Sequence, residues 1–247
     1  MSMTTAVVIV TSGRAELENA VLSVRQQTRQ VDRLYIVTDG IVSFDDYCQL
    51  RDDYKTDSLY GSEKTSVSVS YWDGKIGGAG LEGRRLFAAA PGLVNEDILF
   101  MLPDDDWFGM RHVEDLAGII EEGKDWAYSL MKVYDKDGKF LFNDICECLG
   151  EEHPAYNTGV NFAPTGSIAM KTPLYANIAS VYNSRDWGPD RLFYDTAKRM
   201  YPKFRGSKNH TNCFRLGGNE GSSTAEFFLQ GNKLMREHYG DKMPWQK

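Results

Sequence analysis

Three short apolar runs constrain the fold of this chain more than any other feature. Ala6 to Val10, Leu34 to Val37 and Ile98 to Leu102 are continuous rather than alternating. A strand with one wet face alternates apolar with polar residues, so an unbroken run fits a strand covered on both faces, as in the middle of a parallel sheet. The first run leads through the turn Thr11-Ser12-Gly13-Arg14 into Leu17, Ala20, Val21 and Val24, which recur at helical spacing. The second stops at Thr38-Asp39-Gly40, after which Ser43 can cap a helix carrying Tyr47 and Leu50. Ser66 to Tyr71 alternates valine with serine and predicts another strand, and a helix is expected from about Leu81 to Ala90. Strand and helix thus take turns, which predicts an α/β chain with a mostly parallel central sheet flanked by helices and right-handed crossovers.

The second half is less regular. Trp126 to Val133 and Lys139 to Phe142 predict a hairpin whose turn, Asp135 to Gly138, needs its glycine. Cys146 to Phe162 reads as a polar, mobile loop, Gly166 to Met170 as a strand, and Pro173 as the first turn of a helix. A turn over Ser184 to Pro189 opens a helix at Asp190 that runs to about Met200. Lys203 to Leu216 reads as irregular, and Ser222 as the cap of a last helix. No repeat or Pro/Ser-rich linker divides the chain, so one domain over 1–247 is expected, with a nucleotide-binding half (1–110) and an acceptor-side half (111–247).

The chain's 247 residues suffice for one sizeable core, and a net charge of −7 argues against a nucleic-acid surface, which needs a basic stripe. No apolar run approaches the ~20 residues that span a bilayer, and Met1 to Thr5 has no signal-peptide character. Cys48, Cys146, Cys148 and Cys213 have neither zinc nor redox spacing, so reduced thiols in a cytoplasmic protein are expected.

The chemistry concentrates just past the third apolar run, at Pro103-Asp104-Asp105-Asp106-Trp107. Proline cannot donate to the ladder and ends the strand. Three adjacent carboxylates repel one another and need compensation. Water supplies it in a solvated loop. A hard divalent cation, Mg²⁺ or Mn²⁺, supplies it better, since it prefers carboxylate oxygens and keeps diphosphate oxygens as further ligands. Ligands of open α/β sheets gather beyond the carboxyl ends of strands, where this triplet is expected. Arg84 and Arg85, at a helix start, can hold diphosphate oxygens in forked geometry, or merely face solvent. Gly78-Ala79-Gly80-Leu81-Glu82-Gly83 matches a dinucleotide fingerprint but follows the third strand instead of the first, and reads as a loop feeding a helix. Asp186 and Asp190 flank Trp187-Gly188-Pro189. Asp190 fits a helix N-cap, and either carboxylate also fits a base that takes a proton from an acceptor hydroxyl, with Trp187 as a platform for a sugar face. No nucleophile elbow accompanies the four scattered histidines.

Taken in order along one chain, these segments resemble the family 2 glycosyltransferases of the GT-A fold. Val8-Ile9-Val10-Thr11-Ser12-Gly13-Arg14-Ala15-Glu16 is similar to the family's I-I-P-T-Y-N-R-P-E, Leu22-Ser23-Val24-Arg25-Gln26-Gln27-Thr28 to L-x-S-V-x-x-Q-T, and Tyr35-Ile36-Val37-Thr38-Asp39-Gly40 to I-I-V-V-D-D-G. Gly83-Arg84-Arg85 stands where the family has A-R-N, and Leu102 to Trp107 resembles L-D-x-D-D-W. Gly188-Pro189-Asp190-Arg191 resembles the segment with the acidic base, and Phe214 to Asn219 a Y-R-x-H-x-x-N element. The resemblance implies an inverting hexosyltransferase that takes a nucleotide-diphospho-sugar, a UDP-sugar first, to a carbohydrate or other hydroxyl acceptor. It also implies roles: Thr11, Arg14 and Asp39 at base and ribose, Arg84 at the nucleotide, Asp104 at the ribose hydroxyls, Asp105 on the metal with Asp106 beside it, and Asp190 as base. Pro103 and Gly217 stand where the family has an aspartate and a histidine, which leaves Asp105 as the main metal ligand and His210 as the candidate second one. A nucleotidyltransferase acting on sugar phosphates and a non-catalytic carbohydrate-binding domain are the alternatives.

Overall fold

The computed structural model describes residues 2–40, 48–49, 65–70, 76, 83–151, 162–184, 188–217 and 223–246. Three of the expected strands form as read: β1 (Thr5–Thr11), β2 (Arg33–Thr38) and β3 (Ser66–Ser70). β4 (Ile98–Pro103) takes in the proline, which pairs with Val10 at the strand's last position. These four run parallel in the order β3-β2-β1-β4, so their carboxyl ends share one edge. β1, β2 and β4 are buried almost throughout, as unbroken apolar runs demand.

Beyond β4 the sheet becomes mixed. β8 (Ile168–Lys171) lies antiparallel to β4 and to β6 (Trp126–Tyr134), and β6 carries the hairpin partner β7 (Phe140–Asn143). The mostly parallel sheet expected from the apolar runs therefore describes the β3-β2-β1-β4 block, and a mixed set of strands extends it. Gly138, with φ of 78°, closes the hairpin turn as anticipated. The segment read as irregular, Lys203 to Leu216, is instead the twelve-residue strand β9 (Phe204–Arg215). It runs parallel to β6 with register shifts near Tyr128 and Leu130, and pairs with the two-residue strand β5 (Trp107–Phe108). Gly206 and the left-handed Lys208 (φ 63°) break the two-residue period that would have exposed it in the sequence.

Helix α1 (Leu17–Arg25) and helix α3 (His112–Glu121) bury Leu17, Val21, Val24, Val113 and Leu116 on one sheet face. Helix α2 (Arg84–Ala89), helix α4 (Thr172–Ile178) and helix α5 (Pro189–Met200) cover the other, around Trp126, Tyr128, Phe193 and Tyr194. The final helix α6 (Ala225–Tyr239) packs Met235 on Leu130 and Cys146. Its cap is Thr224, whose hydroxyl accepts from the Phe227 N–H; the anticipated cap Ser222 lies outside the described residues. The helix anticipated from Ser43 lies largely outside them too, as do Gly78 and Gly80. Cys146 to Gly150, read as part of a mobile loop, is a buried turn. The buried carboxylate of Asp144 accepts from the N–H groups of Cys146, Glu147 and Cys148 at 3.1, 3.1 and 2.7 Å. All four cysteines are free thiols, and among the described residues no helix is long and apolar enough to cross a membrane.

Candidate functional site

The three carboxylates sit where the sequence places them, just past β4 on the carboxyl edge, and each is engaged differently. Asp104 is buried. Its Oδ2 accepts from the Thr11 hydroxyl at 2.7 Å, and that hydroxyl in turn accepts from the Gly13 N–H at 2.9 Å. Burial holds the Asp104 carboxyl above the ordinary range, although Thr11 and Arg14 pull it back. Asp106 is buried as well, accepts from the Arg215 N–H at 3.0 Å, and is pushed well up by burial and then by the Asp105 charge. Asp105 is the least enclosed of the three, and its Oδ2 takes Nη1 of Arg14 at 3.1 Å. The guanidinium also stands 4.0 Å from Asp104 Oδ1. Arg14, expected beside base and ribose, thus stands as a cation against Asp105 and Asp104.

Two further predicted residues close the same edge. The Asp39 N–H donates to the Thr11 carbonyl at 2.6 Å, and the Asp39 carboxylate accepts from the Ile76 N–H at 2.8 Å. Gly83 (φ 75°) caps α2 so tightly against β1 that an added Cβ would lie 3.2 Å from Val10 Cγ1. That close approach brings Arg84 to the site, where it donates to the Ser184 carbonyl at 3.4 Å. Arg85 turns instead to the Ile76 carbonyl, also at 3.4 Å.

Asp190 lies inside the first turn of α5 rather than at its cap. The cap position belongs to the left-handed Gly188 (φ 76°), because the chain must reverse there before Pro189. Asp190 Oδ1 accepts from the Arg191 N–H at 2.9 Å. Burial raises the Asp190 carboxyl, and the positive charges of Arg191 and Arg84 act against that. Arg84 and Asp190, 106 positions apart in the chain, are therefore electrostatic neighbours. Arg191 lies over the Phe162 ring at 4.0 Å. Asp186 and Trp187 lie outside the described residues.

His210 does not join the triplet. Its Nε2 lies 3.0 Å from the Asp144 carbonyl, and burial lowers its basicity. Arg215, whose N–H donates to Asp106, lies five positions further along β9. Among the described residues no three His, Cys, Asp or Glu side chains converge on one metal position. Carboxylate oxygen is nonetheless the right donor for Mg²⁺ or Mn²⁺, which commonly takes one or two protein carboxylates and completes its shell with phosphate and water. Asp105, already holding a cation, fits that part.

Sequence reasoning overlooked a groove of about 580 Å³ next to the triplet, lined by Asn19, Gln26, Trp107, Lys132, Tyr134 and Arg215. The register aligns Lys132, Cys213 and Trp107 across β6, β9 and β5 on one face. The Trp107 and Tyr134 rings stand 4.5 Å apart there, and Arg215 reaches both Trp107 and Glu16. Nothing local marks this row, since it arises from pairing β6 with a strand some 80 residues later.

No protein-family profile and no curated relative matches the sequence. Solved structures do match. S. aureus TarS 1–349 in complex with UDP-GlcNAc aligns with a TM-score of 0.62 at 18% identity, over 94% of this chain and 65% of that one. The same fragment with UDP gives 0.63 at 17%, over 87% and 61%. The longer TarS structure gives 0.62 at 17%, over 87% of this chain and 37% of that one. The chain thus spans less than two thirds of the TarS structures it matches. What these likenesses establish is a GT-A-like fold.

Proposed function

We propose that the chain is a glycosyltransferase that moves a sugar from a nucleotide-diphospho-sugar, a UDP-sugar first, to an acceptor hydroxyl with inversion. One observation carries the reading. Thr11, Asp39, Asp104 and Asp105 lie at the carboxyl ends of β1, β2 and β4, Gly83 packs the start of the Arg84 helix against Val10 of β1, and the Arg84 charge acts on the Asp190 carboxyl. The similar fold of TarS, solved with UDP and with UDP-GlcNAc, supports a nucleotide-sugar in that place.

In this reading Asp104 and Asp39 orient the nucleoside, and Arg84 grips diphosphate oxygens in forked geometry. A divalent ion, when bound at Asp105, would supply charge compensation to the departing diphosphate. Arg84 offers the same kind of compensation, which matters most as leaving-group charge grows in the transition state. Asp190 takes the proton of the acceptor hydroxyl. Its buried carboxyl is a stronger base than an exposed aspartate, which brings it nearer the operating pH. Attack from the face opposite the diphosphate inverts the anomeric centre.

The test is a screen of UDP-, GDP- and other activated sugars, with and without Mn²⁺, for thermal stabilisation and slow donor hydrolysis. Stabilisation with release of nucleoside diphosphate is expected. Pyrophosphate as product would make the protein a nucleotidyltransferase. Stabilisation by oligosaccharides alone, with no nucleotide effect, would make it a binding domain.

A further inference from the structure

Arg14 is held over the triplet by a deliberate turn. The left-handed Gly13 (φ 84°) reverses the chain between β1 and α1, and the Gly13 N–H is tied to the Thr11 hydroxyl at 2.9 Å. Arg14 therefore points back across the edge, with Nη1 3.1 Å from Asp105 and 4.0 Å from Asp104. Asp104 and Asp106 are buried, and one oxygen of each is held within the protein, Asp104 Oδ2 by the Thr11 hydroxyl and Asp106 Oδ1 by the Arg215 N–H. The carboxylate most open to a divalent cation, Asp105, is thus the one that carries a guanidinium.

We propose that Arg14 is a built-in counter-cation that keeps Asp105 closed to divalent metal until a diphosphate draws the guanidinium away. The proposal rests on the nucleotide-sugar reading above. A guanidinium pairs with a diphosphate as well as with a carboxylate, in the same forked geometry. A diphosphate therefore competes with Asp105 for the Arg14 guanidinium and frees the carboxylate. A lone carboxylate that must first shed Arg14 holds a strongly hydrated ion poorly. Metal and nucleotide then bind with positive coupling, and by linkage each tightens the other by one common factor.

The experiment titrates Mn²⁺ into the full chain, following the free aqua-ion by electron paramagnetic resonance, with and without UDP or GDP. For the native protein, weak binding of Mn²⁺ alone and a tightening of about tenfold or more with nucleotide are expected, within the usual range of coupling. R14Q should bind Mn²⁺ alone about tenfold more tightly than the native chain and lose most of the nucleotide effect. R14K, which keeps the charge, should stay near the native value. R14Q/D105N should fall back to weak binding, which would locate the gained site at Asp105. Circular dichroism melts of each variant establish that it is folded. Equal Mn²⁺ affinity for R14Q and the native chain overturns the proposal, as does a gain that survives D105N. Failure of the nucleotide reading looks different: neither UDP nor GDP changes Mn²⁺ affinity in any variant, while the R14Q gain persists.

Discussion

The Thr11 hydroxyl donates to Asp104 at 2.7 Å across the tips of β1 and β4, 93 residues apart in sequence, and both side chains are buried. This hydrogen bond joins the turn that aims Arg14 to the loop that carries the carboxylates. Thr11→Val keeps the shape of the side chain and removes the donor. A buried carboxylate deprived of a partner costs about 1–3 kcal/mol. Thermal denaturation should show a loss of roughly 2–4 °C for each kcal/mol in a domain of this size, with UDP affinity falling in parallel. Thr11→Ser, which retains the hydroxyl, should recover most of both. A valine variant as stable as the native chain would remove this bond from the site's supports.

On the proposed reading, Asp190→Asn should separate catalysis from binding. Asparagine keeps an oxygen to accept from the Arg191 N–H but cannot take a proton. General-base assistance is typically worth ~10²–10⁴ in rate. Turnover should fall by that factor while UDP affinity, measured by calorimetry, stays nearly constant. The sign of the pH effect follows from burial: a raised carboxyl must lose its proton before it can act, so the acid limb of the native rate profile should lie above the ordinary aspartate value of 3.8. Equal loss of turnover and affinity would assign Asp190 to structure.

The fold and the site were legible to different depths. β1, β2 and β4 could be read because each is an unbroken apolar run, and the position of Asp104 to Asp106 follows from where such a run ends. β9 could not, because its polar residues, Gly206 and Lys208 carry no two-residue period and its hydrogen bonds come from β6. Reading β9 as irregular left His210 free to be drawn to the triplet, whereas the strand sets its ring against the Asp144 carbonyl. The Arg14–Asp105 pair was hidden for a related reason: it spans 91 positions, and only the three-dimensional turn at Gly13 aims one residue at the other. Burial of Asp104 and Asp106 was equally invisible, since an acidic triplet looks the same whether it is wet or enclosed.

Gly206 shows how closely β9 is fitted to β6. A Cβ at this position would lie 2.7 Å from Cζ and 2.8 Å from Oη of Tyr128, a ring that is fully buried. Gly150 abuts the same phenol, and its own Cβ would come within 2.4 Å, while Tyr128 Oη accepts from the Glu151 N–H at 2.8 Å. The ring is held by its neighbours and cannot step aside. Gly206→Ala should therefore destabilise by overpacking, about 1–3 kcal/mol, read as a lower denaturant midpoint. An unchanged midpoint would mean that the β6–β9 contact yields at little cost.

His112 makes stability depend on pH. The ring is fully buried at the start of α3, stacked on Phe108 at 4.0 Å, edge-on to Phe100, with Nδ1 2.9 Å from the Thr211 hydroxyl. Nε2 is buried and has no partner among the described residues. Burial pushes the imidazole from the ordinary 6.5 down to about 3. The unfolded chain takes up this proton as pH falls through about 6.5, whereas the folded chain resists it until about 3. The stability that His112 contributes above 6.5 is therefore lost across that window, at up to ~1.4 kcal/mol per pH unit. Asp104, Asp106, Asp144 and Asp190, all raised by burial, act with the opposite sign and strengthen the fold as pH falls. A comparison of two chains that differ at one residue isolates the histidine from them. His112→Phe keeps the aromatic stack, drops the Thr211 contact and cannot be protonated. Its melting temperature, close to or slightly below the native value at pH 7.5, should overtake it between pH 6 and 4. Parallel curves over that range would show that the imidazole is protonated in the fold, so that the enclosure around Nε2 is not dry.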